Sequence, residues 1–144
     1  MDRKLEDEMK KKMKEGWIRT NMFIEAMAIS DTAVESALKK HIDRLEKERG
    51  VFVYRKDFKE ITEVEKPLPN IPKGYSQIVE IELLTENFEK LVHVVFHYGP
   101  SAIEVIEPDK IKIGIGEAQG ILNTFAMIIH RFAALGGGGL LVST

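Results

Sequence analysis

Glu89, His93 and His97 form the sharpest metal-like spacing in the chain. At i, i+4 and i+8 on a helix they bring one carboxylate and two imidazoles onto one stripe, and two histidines four residues apart can share a zinc ion. No glutamate follows either histidine in the HExxH arrangement of a zinc hydrolase. The same positions lie opposite an apolar stripe, where any polar residue serves. A surface role is therefore the preferred reading: no metal is assigned, and Glu89, His93 and His97 are the candidates should one bind. His41 falls within the apolar stripe of another expected helix and reads as a partly buried structural histidine. His130 lies near the end of the last expected helix, beside Arg131.

Gly114-x-Gly116-x-x-x-Gly120 follows a strand-like run and opens a helix, the place where a phosphate-cradling turn belongs. Its spacing misses GxGxxG by one residue, Glu117 sets a negative charge at the same helix end, and too little chain follows to complete a dinucleotide-binding unit. No cofactor is indicated. Catalytic residues are not indicated either, and the chain leans away from an enzyme.

Composition narrows the classes further. With 144 residues, 44% of them apolar, the chain suits one domain with a real core. A formal net charge of −2 supplies no field that gathers nucleic acid or an anionic membrane surface. The absence of cysteine removes disulfides and thiolate sites. The charged first residues lack the apolar core of a signal peptide, and no apolar run is long enough to span a bilayer. The expected location is cytoplasmic, and Lys- and Glu-rich surfaces without cysteine fit a heat-adapted source.

The elements that must position these residues follow from periodicity. Residues 3–15 read as a charged helix laced with i, i+4 acid-before-base pairs, with only Leu5, Met9 and Met13 able to dock it. Residues 17–29 alternate like a strand, and 30–49 read as a helix with a Thr32–Glu35 capping box and the stripe Val34, Ala37, Leu38, His41 and Leu45. Val51 to Tyr54 begins another strand, which runs on irregularly through Phe58, Ile61 and Val64. KPLPNIPKG, residues 66–74, reads as a stiff loop. From 75 to 108 the clearest stretch is strand, helix, strand: Val79, Ile81 and Leu83 alternate with glutamates. Phe88, Leu91, Val92, Val95 and Phe96 then take helical spacing, and Gly99-Pro100 stops the helix.

The order βαββαβ predicts an α+β, ferredoxin-like antiparallel sheet with both helices on one face, a charged N-terminal helix (1–16) and an apolar C-terminal helix within 109–135. The tail 136–144 is expected to be flexible at first and then apolar. The last helix carries no charge between Glu117 and Arg131. Its best stripe (Ala118, Ile121, Leu122, Phe125, Ile129, Phe132) is expected to lie on the open sheet face, leaving Met127 and Ile128 to a subunit contact. The expected interface set is Ile121, Phe125, Met127, Ile128, Ile129 and Phe132.

GWIR (16–19), the helix ending LEKERGV (45–51) and YGPSAIEVIEP (98–108) resemble a recurring pattern in small archaeal proteins of no assigned activity. The resemblance implies an archaeal, heat-adapted, cytoplasmic setting and transfers no site. The leading expectation is a non-catalytic homo-oligomeric domain, binding a small ligand at a subunit interface or serving as an assembly module. The first alternative is a winged helix on nucleic acid, which requires residues 17–29 to be helical. Its balanced charges disfavour it. The second is a metal-dependent enzyme built on His93 and His97.

Overall fold

Alternation of apolar and polar residues along Ile18–Ala28 (β1) and Ile71–Thr85 (β4) makes these two strands the centre of the sheet. They pair antiparallel along their length, with Thr20 opposite Leu83, Met22 opposite Ile81 and Ile24 opposite Val79. The computed structural model describes residues 2–135. Within them lie four helices and a five-stranded antiparallel sheet, in an α+β arrangement. Val51–Phe58 (β2) pairs with the second half of β4, Thr62–Leu68 (β3) with its first half, and Ala102–Glu107 (β5) with β1. The main path runs β2-β4-β1-β5. Contacts divide the described residues into two compact units, one ending at Lys110 and one beginning at Ile111.

One face of the first unit's sheet carries Ile18, Met22, Ile24, Val79, Ile81 and Leu83, all buried. Asp31–Glu46 (α2) and Phe88–Tyr98 (α3) supply the other half of that core. α2 contributes Val34, Leu38, Ile42 and Leu45, and α3 contributes Leu91, Val92 and Val94. Both helices are rolled relative to the expected stripes. Ala37 is exposed and Ile42 takes its place, while Val94 is fully buried and Val95 and Phe96 are only half-buried. An apolar stripe wider than the contact leaves such a roll open to periodicity, and packing against the sheet selects it.

The local signals mostly hold. Ser30, not Thr32, caps α2, its Oγ accepting from the Ala33 amide at 3.1 Å. Asn87 caps α3 by accepting from the Lys90 amide at 2.8 Å. The expected proline loop is a β-hairpin: β3 and β4 turn back on each other with Leu68 opposite Ile71, and the irregularity between Glu65 and Leu68 accommodates Pro67 on an edge strand. Residues 109–114 form no strand.

On the other sheet face, Arg3–Lys14 (α1) buries Met9, and Leu5 and Met13 are half-covered, the docking row its sequence offered. Lys12 Nζ lies 4.5 Å from the Trp17 ring centre and 5.3 Å from that of Phe52, spreading its charge over two aromatic faces. In the second unit, Ile115–Ala134 (α4) follows the uncapped Gly114. The expected tail, 136–144, lies outside the described residues.

Gly50 at φ 78° and Gly99 at φ 57° set a strand start and a helix end in left-handed conformation. A Cβ at Gly50 would run into the Glu86 side chain, whereas one at Gly99 would meet open space. Gly99→Ala is expected to cost about 1 kcal/mol from backbone strain alone, and Gly50→Ala more than that. Denaturant melts of the two variants give the comparison, and equal losses would contradict it.

Candidate functional site

The histidines come together through residues far apart in sequence. α2 ends at Glu46, and Glu48 just beyond it reaches α3, where its Oε2 accepts from His93 Nε2 at 2.8 Å. One turn on, His97 Nδ1 donates to the His93 carbonyl at 2.9 Å, and the two imidazole rings stack with centres 4.0 Å apart and planes 26° from parallel. At the other end of the α2–α3 seam His41 Nε2 donates to the Tyr98 carbonyl at 2.9 Å, and its ring lies 5.0 Å from the Tyr98 ring. Each of these three histidines spends one ring N–H on a carboxylate or a carbonyl. His41 is thus the satisfied, half-buried histidine its position suggested.

Glu89, the carboxylate of the expected trio, is half-buried on α3 and has its own interaction. Among the described residues no group of three or more His, Cys, Asp or Glu side chains could hold a metal ion. The carboxylate facing the histidine row is Glu48, which sequence spacing missed because it lies 45 residues away across the helix seam. The LEKERG helix end carried it in plain view, but nothing in a linear pattern aims a residue past a helix terminus at a neighbouring helix.

On the opposite sheet face Arg19 is clamped between two side chains. Its Nε donates to the Tyr54 hydroxyl at 2.6 Å and its Nη1 to Glu107 Oε1 at 3.3 Å. Burial pushes the Tyr54 phenol above its ordinary 10.0, opposed in part by the Arg19 hydrogen bond, with the Glu82 charge adding to the rise. Glu6, Met9, Lys10 and Met13 of α1 form the wall of a shallow groove whose floor is Arg19 and Glu107. Around it the sheet face is charged: Arg55 meets Glu82 at 3.7 Å and Lys59 meets Glu80 at 3.4 Å. Trp17 and Phe52 lie under Lys12. Residues 17–29, expected to alternate like a strand, contain β1, held by β4 on one side and β5 on the other.

The glycine turn is plain in structure. Gly114 precedes α4 with no side-chain cap, and Glu117 occupies the first turn, where the helix dipole favours a carboxylate. Of the expected interface set on α4, Ile121 is buried and Ile128 half-buried, while Phe125, Met127, Ile129 and Phe132 are exposed. Leu122 is exposed with them. No described helix is long and apolar enough to cross a membrane.

Fold and site together define a small α+β chain with a helix-covered antiparallel sheet. The chain belongs to the MJ0538 family, whose model matches residues 19–138 and which is named after an archaeal protein. No curated protein matches it.

Two outcomes test these assignments. A phenol raised in the folded state stabilises the fold below about pH 10, and that contribution is lost as pH rises through the folded value. Alkaline melts should therefore show stability falling above about pH 10, and less steeply in Tyr54→Phe. An identical fall in the variant would remove Tyr54 from the account. Replacing His93 and His97 together by Ala, in the absence of added metal, should cost no more than about 1 kcal/mol, because the Glu48 pair is partly solvated. A larger loss in thermal melts would make the pair a main support of the α2–α3 seam.

Proposed function

We propose that the chain is a non-catalytic, homo-oligomeric assembly module and that α4 forms the contact between copies. The observation that carries this reading is the open face of α4. Leu122, Ile129 and Phe132 are each more than half exposed, with Phe125 and Met127 close behind. Leu122, Phe125, Ile129 and Phe132 fall at i, i+3, i+7 and i+10, the spacing of a helix–helix seam. At about 25 cal/mol per Å², and on the order of 100 Å² left wet per side chain, each forgoes roughly 2 kcal/mol of burial. A contiguous apolar face of that size marks an interaction surface.

A second copy is the occupant that the charges favour. The stretch between Glu117 and Arg131 is uncharged, with the acid at one end and the base at the other. An uncharged seam of this kind leaves no charge buried without a partner when two α4 helices pack about a two-fold axis.

The ferredoxin-like plan belongs to the same reading. It is supported by α2 after the first strand, α3 after β4 and the spatial order β2-β4-β1-β5, with β3 as an added arm. An archaeal, heat-adapted, cytoplasmic setting goes with the absence of cysteine and the Lys- and Glu-rich surfaces.

Light scattering tests the assembly. Wild type is expected to run above the mass of the 144-residue monomer. Leu122→Lys with Ile129→Lys should bring it down to that mass while circular dichroism keeps the mixed helix and sheet signal. A monomeric wild type at tens of micromolar would end this reading.

A further inference from the structure

β5 ends the sheet path and pairs with β1 alone among the described residues, so the backbone donors and acceptors of its outer edge have no strand beside them. Ile103 stands opposite Met22 and Val105 opposite Thr20, which puts both side chains on the face that α2 and α3 cover. They are nonetheless 44% and 43% exposed, because the helix layer stops short of this edge. The strand at the other end of the path is protected differently. β2 carries Arg55, Lys56 and Asp57 in mid-strand, charges of the kind that keep an edge from pairing. β5 offers only Glu104 in that role, since Glu107 is turned to Arg19. Pro100 and Pro108 bound the strand, and the β1–β5 register shifts between Arg19 and Thr20, so the regular stretch runs no further than Val105.

We propose that β5 is a second contact between copies, in which the edges of two chains pair antiparallel about a two-fold axis at Ile103. The residues of the strand select this register. It sets Ile103 against its own counterpart, Ala102 against Glu104 of the partner subunit and Ser101 against Val105 of the partner subunit, so apolar side chains meet on one face and no two carboxylates are opposed. An axis at Glu104 would pair Ile103 with Val105 of the partner subunit but drive the two Glu104 carboxylates together. An axis at Val105 would run into the irregular end of the strand. With pairing confined to 101–105, the contact falls well below the roughly 1,200 Å² of a stable interface, so it closes only between copies that α4 already holds together. Edge pairing therefore rests on the α4 contact and extends it: with two distinct two-fold contacts, association continues past a pair of copies.

Light scattering of the full-length protein at tens of micromolar reads the two contacts separately. Wild type is expected to exceed the mass of two copies, and Ile103→Lys, which sets two ammonium groups face to face, to stop at two. The chain has no cysteine, so a single introduced thiol reports the register. With oxidised glutathione, Ile103→Cys should form a covalent pair on a non-reducing gel, its two copies being directly opposed. Val105→Cys should not, because its counterpart lies four residues away along the strand, about 14 Å and beyond disulfide reach. Circular dichroism confirms that each variant is folded. Equal crosslinking of the two cysteine variants overturns the register, and an Ile103→Cys that stays reduced overturns the pairing. A wild type that stops at two copies, unmoved by Ile103→Lys, also ends it, leaving β5 to a strand of another protein and the α4 contact intact. If Ile103→Lys lowers the mass but Leu122→Lys with Ile129→Lys does not, the edge pairing stands and it is the α4 contact that fails.

Discussion

Burial of one face of the β1–β4 pair is the constraint on which the first unit depends. Met22, Ile24, Val79, Ile81 and Leu83 are essentially dry. They become so only because the two strands pair in a register that puts all of them on one side. A slip by one residue would send that whole set to the other face and bring Glu80 and Glu82 inward, so the register is fixed by the cost of burying carboxylates. The rest of the first unit is attached to this layer. α2 and α3 cover it, β2 and β5 flank it, and β3 extends from the long first half of β4.

The polar contacts are arranged around that layer rather than inside it. His41 and His93 join α2 and the segment after it to α3 at the helix seam, where half-exposure makes each bond modest. On the far face Arg19 links β2 to β5 through Tyr54 and Glu107, across the β1 position it occupies. These bonds orient side chains that hydrophobic burial leaves free to turn. The same orientation gives His93 and His97 defined tautomers, so a chemical property of the surface follows from packing beneath it. Thr20 and Thr85 show the converse. Both are wholly buried, and among the described residues their hydroxyls find no partner; with Gln77 they are polar exceptions in an otherwise apolar layer.

α4 obeys a different rule from the helices of the first unit. α2 and α3 expose their charged sides and bury their apolar ones, whereas α4 leaves Leu122, Ile129 and Phe132 open. An apolar helix face is costly in water, and assembly of copies is the proposed cover.

The local elements were legible in the sequence by itself, because they rest on short-range physics. The alternation in β1 and β4, the Gly99 stop, the Met9 row on α1 and the extent of α4 to within a turn all follow from periodicity, capping and backbone freedom. The hairpin at 62–85 was not legible, since three prolines read as a loop when no partner strand is known, and an edge position tolerates what a central strand would not. The roll that chose Ile42 and Val94 for the core depended on the shape of the sheet beneath. The candidate site divides along the same line. The spacing of His93 and His97 is a property of the sequence, visible at once as one helical stripe. That Glu48 meets His93 was decided only by tertiary structure, because the two are brought together when α2 and α3 pack side by side on the β1–β4 layer.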